Sequence, residues 1–165
     1  MELRSYKKIT RNDLARLAHL VQKDRRGLVT RKPHLAKLSS EIICVALCQG
    51  AALHYVNGKN GVKDFDVWTF YKAGKMIFPL RRVGKGDFGK SKFGQDPFEP
   101  SKYKGRRIDF VGRSISYPKS VFDPVRIIQN YLRSKKTVSA EKLAKKAVVI
   151  ISPSRLCGIV AWPPK

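Results

Sequence analysis

EIICVALCQGAALHYVNGKNGVKDFDVWTFY, residues 41–71, places two carboxylates, Asp64 and Asp66, one residue apart inside an apolar and aromatic run. In a β-strand successive side chains alternate between faces, so Asp64 and Asp66 point the same way while Phe65 and Val67 fill the opposite face. Neighbouring carboxylates repel unless they share a proton or a cation. A hard divalent ion such as Mg²⁺, held by carboxylate oxygens and by the phosphates of a substrate, removes that repulsion. A bare Asp-x-Asp also has a plainer account, in which one Asp faces solvent from an edge strand and the other caps the turn.

Working outward, residues 42–48 form a continuous apolar run rich in β-branched side chains, which favours a buried strand and leaves a buried helix open. Gln49-Gly50 interrupts the run, residues 51–56 have the composition of a short helix, and Asn57-Gly58 and Gly61 stop it. The predicted order is strand, glycine turn, short helix, loop, Asp-bearing strand. A glycine at such a turn lets backbone N–H groups approach a phosphate, and the helix N-terminus favours the anion. The Asp-bearing strand, residues 63–71, is expected to form a hairpin with residues 75–80, turning at Ala73-Gly74.

Residues 81–105 lack periodicity and are dense in Gly, Lys and Pro, so they are expected to be a disordered or substrate-gripping basic loop. Within them Gly84-Lys85-Gly86-Asp87-Phe88-Gly89 matches the dinucleotide spelling G-x-G-x-x-G, but no helix follows and the βαβ context is missing. A second acid-bearing strand is predicted over residues 106–111. Asp109 sits there among Ile108, Phe110 and Val111, and a carboxylate in such surroundings needs a cation. Either Arg107 or Arg113 pairs with it, or it joins Asp64 and Asp66 on a metal.

At the N-terminal end Asn12 or Asp13 is expected to cap a helix running to about Lys23 and ended by Gly27, with an amphipathic turn or two at residues 35–40. Toward the C-terminus Asp123-Pro124 opens a helix, Thr137 to Glu141 starts another that reaches Lys146, and residues 147–151 form a buried strand. Residues 156–162 fit either a helix or a strand. The fold class is α/β (α+β), a small mixed β-sheet with flanking helices. One domain spans residues 1–165, with an N-terminal helix and linker over 1–34 and the core with its C-terminal helices over 35–165.

The chain holds 35 Lys and Arg against 12 Asp and Glu, a formal charge of +23. Self-repulsion of that size calls for an anionic partner, nucleic acid first and an acidic protein second. The basic residues are spread in pairs along the whole chain, so this is no basic tail on a neutral domain. Cys44, Cys48 and Cys157 are an odd set in apolar surroundings and read as reduced core thiols. His19, His34 and His54 stand singly and read as surface or packing residues, His54 being the one near the Asp pair in sequence. No apolar run has the length to span a bilayer and no signal-peptide core opens the chain, so a soluble, cytoplasmic protein with no membrane partner is expected.

Gln49-Gly50-Ala51-Ala52-Leu53, Lys63-Asp64-Phe65-Asp66-Val67-Trp68 and Ile108-Asp109-Phe110, in that order, resemble the nucleotidyltransferase superfamily with a polymerase-β-like core, nearest the minimal nucleotidyltransferases and the AbiEii-type toxin proteins. The resemblance covers roughly residues 41–111. It implies a nucleotidyltransferase-like sheet and an enzyme that moves a nucleoside monophosphate from an NTP to an acceptor, with a toxin-type role among the outcomes. It implies that Asp64, Asp66 and Asp109 are catalytic and bind two Mg²⁺ ions, and that Gly50, Ala51 and Lys63 contact the nucleotide. The family's glycine motif is usually Gly-Gly or Gly-Ser; here Gln49 or Ala51 replaces one member, and a phosphate-binding hydroxyl is missing. The acceptor is RNA, a protein hydroxyl or a small molecule, and the charge favours RNA such as a tRNA end by counterion release. Two other readings stand beside this one: a non-enzymatic nucleic-acid-binding domain whose acids pair with arginines, and a catalytically degenerate fold acting as an interaction subunit.

Overall fold

Residues Ile42–Cys48 form strand β1, buried without a break from Cys44 to Cys48, because both of its faces are covered. Helix α1 (Arg11–Arg31) precedes it, joined by a 3₁₀ segment at Pro33–Glu41, and helix α2 (Gln49–Asn57) follows it directly. Then come β2 (Phe65–Lys72), β3 (Val83–Asp87), β4 (Arg107–Ile115), α3 (Pro124–Ser134), α4 (Val138–Leu143), β5 (Val148–Ser152) and β6 (Val160–Trp162). The computed structural model describes residues 7–58, 61–78, 83–89, 93 and 105–164. The strands form one six-stranded mixed sheet in the order β3-β4-β2-β1-β5-β6. Only the β2–β4 pair is parallel; the other neighbours run antiparallel.

Strand alternation sorts the core into two layers. Val45 and Leu47 of β1, Phe65 and Val67 of β2, and Ile108 and Phe110 of β4 pack against Leu14, Leu17 and Val21 of α1 and against Ala51 and Ala52 of α2. Cys44, Ala46 and Cys48, Trp68 and Phe70, and Val111 and Ile115 pack against Ile127, Ile128 and Leu132 of α3 and Leu143 of α4. A third cluster, Leu28, Leu35, Leu38, Tyr71 and Phe78, seals the end of the sheet beneath the 3₁₀ segment.

The helix starts have identifiable caps. In a capping box, the Thr10 hydroxyl accepts from the Asp13 N–H and the Asp13 carboxylate accepts from the Thr10 N–H at 2.7 Å. The cap is thus Thr10, where Asn12 or Asp13 was expected. Gly27 does not end α1, since Leu28 continues the buried stripe and the helix runs on to Arg31. Asp123 caps α3 with Pro124 in its first turn, and Thr137 caps α4, which is shorter than expected.

Three expectations about strands change. β2 forms no hairpin with residues 75–80; its neighbours are β1 and β4, and Phe78 instead stacks on Tyr71 at 4.7 Å between ring centroids, with residues 79–80 outside the described residues. Residues 83–87, assigned to a loop, form the edge strand β3 against β4; most of the remaining expected loop lies outside the described residues. The unassigned end of the chain supplies a 3₁₀ turn at Ser154–Leu156 and edge strand β6.

Gly112 of β4 shows how closely this end is packed. A Cβ there would stand 2.7 Å from Phe78 Cζ and 2.9 Å from its Cδ1, against a ring already held by Tyr71. Gly112→Ala is therefore expected to destabilise the protein by about 1–3 kcal/mol, the usual range for overpacking. Gly74→Ala, with nothing within 4 Å, is the control. Urea unfolding of both variants checks this, and equal midpoints would contradict it.

Candidate metal centre

Asp66 of β2 stands directly opposite Asp109 of β4 in the parallel register, and Cys48 of β1 stands opposite Asp66 on its other side. Cross-strand partners share a face. Strand alternation sets Asp66 with Trp68 and Asp109 with Val111, so both acids lie on the α3–α4 side of the sheet while Phe65 and Val67 fill the α1 side. Asp64 lies one residue ahead of β2. One carboxylate oxygen from each of Asp64, Asp66 and Asp109 lies within 4.8 Å of the others. Neither half of the plainer account of Asp-x-Asp describes this, since β2 is an interior strand and Asp66 faces two other acids.

The electrostatics reflect this crowding. Burial, then Asp64 and Asp109, push the Asp66 carboxyl up to about 6, against the pull of Lys142 and Lys146. Burial and then Asp109 also raise Asp64, opposed by Lys63, Arg107 and Lys146. Asp109 is held on one oxygen: Arg107 Nε donates to Oδ1 at 2.8 Å, and Nη2 stands 2.8 Å from the same atom. Arg113, the other candidate partner, instead donates from Nη1 to Ser139 Oγ at 2.9 Å. Asp109 thus satisfies both alternatives left open by the sequence, an arginine partner and a place in the acid cluster. Three carboxylates offer hard oxygen donors and no thiolate or imidazole, a set that suits a hard divalent cation such as Mg²⁺.

Beside the acids lies the turn from β1 into α2. Gln49 has φ 61°, the left-handed region that favours glycine, so it is Gln49 that occupies the conformation a glycine would take most easily. Gly50 follows in the first turn of α2, where Cys48 provides no side-chain cap for the free N–H groups. Lys146 Nζ stands 3.9 Å from the position a Cβ on Gly50 would take. One ammonium thus stands over the helix N-terminus and also acts on Asp64 and Asp66.

Among the other sequence candidates, Ala51 has its methyl in the α1-side core, so only its backbone faces the helix end. Lys63 is exposed and acts on Asp64. His54 is fully buried and meets Phe93 edge-on at 6.1 Å, a packing role. Cys44, Cys48 and Cys157 are free thiols, and burial followed by Asp66 pushes Cys48 well above the usual thiol range. Lys142 and Lys146 were missed by sequence reasoning. Their only signal was the basic spacing around Lys145-Lys146, which resembles that of other Lys and Arg pairs in the chain. No protein-family model, curated protein or solved structure matches this chain. No helix among the described residues is long and apolar enough to cross a membrane.

The raised Asp66 carboxyl has a thermodynamic consequence. Its folded pKa of about 6 lies above the ordinary 3.8, so the folded state binds the proton more tightly than the unfolded chain does. That contribution to stability is fully present below the ordinary pKa and is lost as pH rises through about 6, on the order of 3 kcal/mol in total. In chelator, wild-type stability should therefore fall between pH 4 and pH 7, and Asp66→Asn should flatten the fall. Mg²⁺ or Mn²⁺ should restore stability at pH 7 to the wild type more than to the variant. Urea unfolding across this range reads both effects, and parallel pH profiles would contradict the coupling.

Proposed function

We propose that this protein is a metal-dependent nucleotidyltransferase, moving a nucleoside monophosphate from an NTP to an acceptor hydroxyl, with RNA such as a tRNA end as the acceptor. The observation that carries this reading is the convergence of Asp64, Asp66 and Asp109 on one face of the sheet, beside the first turn of α2. It agrees with the resemblance of residues 41–111 to the polymerase-β-like superfamily.

In this reading Asp64, Asp66 and Asp109 are the residues that would hold two Mg²⁺ ions. When bound, Mg²⁺ supplies positive charge against the triphosphate and the acceptor oxygen. The N–H groups at the start of α2, bare of a Cβ at Gly50, face the phosphates. Lys146 and Lys142 neutralise the charge that passes to the leaving group. The acceptor oxygen bonds to the α-phosphorus as the bond to the bridging oxygen breaks and pyrophosphate departs. Asp109 takes the acceptor proton. Lys and Arg within residues 81–104, outside the described residues for the most part, add to the neutralisation.

The Arg107–Asp109 ion pair favours a second reading, in which the chain's own cations balance the acids and the protein binds nucleic acid without chemistry. Asp66→Asn separates the two. Incubated with each labelled NTP, Mg²⁺ and total RNA, an enzyme loses nearly all label transfer on this change, and Asp109→Asn lowers it by about 10²–10⁴-fold, the range of a lost general base. RNA binding persists or tightens, because a negative charge beside phosphates is gone, and thermal unfolding shows that the variant is folded. Full transfer by folded Asp66→Asn refutes the proposal. Absence of transfer by wild type with every NTP leaves the binding reading standing.

A further inference from the structure

On the α1 side of the sheet, across from the three carboxylates, a cleft of about 420 Å³ opens between the second half of α1 and the β3–β4 edge. Its helix wall comprises Leu20, Lys23, Asp24, Gly27 and Arg31, and Lys85, Gly86, Asp87 and Phe110 line the other side. That volume falls in the range of small-molecule sites.

Gly27 is the unexpected residue in this wall. A glycine inside a helix weakens it relative to alanine, yet α1 continues through it for another turn. Lys23, Gly27 and Arg31 follow one another at four-residue spacing, so they share one side of the helix. Arg31 Nη1 lies 3.4 Å from where a Cβ on Gly27 would stand. The guanidinium therefore lies back over bare backbone, where a methyl at position 27 would only just touch it. Across the cleft, Gly86 lets the Phe110 ring lie against the strand, 2.6 Å from the position of a Cβ.

The charges around the cleft are unbalanced. Asp87 is engaged by Arg106, at 2.7 Å from Nε and 2.8 Å from Nη2, and Asp24 acts on the neighbouring Arg25. Neither Lys23 nor Arg31 forms an ion pair among the described residues. An occupant that suits Lys23 and Arg31, which have no ion pair among the described residues, and the narrow apolar lining at Leu20 and the 5 %-exposed Phe110 carries both a phosphate and a partly apolar body. We propose that the cleft is a second binding site, independent of divalent metal, for a phosphate-bearing nucleoside unit, either free or within an RNA strand.

Isothermal titration in excess chelator tests this, with AMP and a 5′-phosphorylated RNA tetramer as probes. Wild type is expected to bind at least one probe at one-to-one stoichiometry. Lys23→Glu/Arg31→Glu should bind it at least tenfold more weakly, and Asp66→Asn should leave it unchanged. Lys23→Ala and Arg31→Ala made singly, milder changes at exposed helix positions, should each weaken binding as well and keep the test decisive if the double variant does not fold. Tighter binding of the tetramer than of AMP assigns the site to a strand, and equal binding to a free nucleotide. The proposal is overturned by failure of both probes to bind wild type, by wild-type affinity in the folded α1 variants, by a loss in Asp66→Asn as large as theirs, or by a hexaglutamate peptide that competes as well as AMP.

Discussion

Asp64, Asp66 and Asp109 repel one another across less than 4.8 Å, and nothing in their own chemistry holds them there. What holds them is the sheet. Phe65, Val67, Ile108 and Phe110 alternate with the acids and are locked beneath α1. Trp68, Phe70 and Val111 continue the acid-bearing face under α3. The apolar burial on both sides fixes the register, and a slip of one residue would turn each carboxylate into the core. The raised Asp66 carboxyl follows from this placement, by burial first and by Asp64 and Asp109 second. Groups shifted in this way cluster at functional sites, and structural ion-pair networks shift them as well.

How much of this was legible in the sequence follows from how local each signal was. The strand–turn–helix from Ile42 to Asn57 and the approach of Asp64 to Asp66 depend on neighbours in the chain, and both read correctly, although β2 begins at Phe65 and leaves Asp64 just outside the strand expected over residues 63–71. The partner of β2 does not depend on neighbours. Ala73-Gly74 offered a plausible hairpin, but β2 finds more apolar surface between β1 and β4, and pairing with distant strands leaves no mark on a local pattern. β3 was hidden for a different reason: Val-Gly-Lys-Gly-Asp has neither alternation nor β-branched weight, and it is a strand only because β4 offers an edge. Gly27 read as a stop because a glycine usually is one, and Leu28 buried beyond it overrides the preference. Lys146 could not be singled out among the Lys and Arg of the chain until the fold brought it to Gly50.

The cations are not uniform in what they do. Arg106 and Arg107 each hold a carboxylate, one on the exposed edge strand and one in the acid cluster. Arg113 has its guanidinium on Ser139, which ties β4 to α4, the helix that carries Lys142. Others, such as Lys23 and Arg31 on the cleft beside α1, form no ion pair among the described residues. A chain with a formal charge of +23 therefore divides its basic residues between holding the fold and facing outward, and the charge that carboxylates leave uncancelled, Arg113 on its neutral serine included, sets the long-range attraction of an anion.

The parallel pairing of β2 with β4 also bears on how the chain folds. β1, α2 and β2 are consecutive, so their contacts close short loops and can form early. Asp66 and Asp109 meet only after the chain between them has closed a much longer loop, and the entropy lost in that closure must be met before the pair's contacts return any stabilisation. The acid cluster is therefore expected to assemble with the docking of β4, after β1, α2 and β2 have met. On that order of events, removing one of these charges is expected to change the rate of unfolding more than the rate of folding, which stopped-flow refolding and unfolding of Asp66→Asn would read.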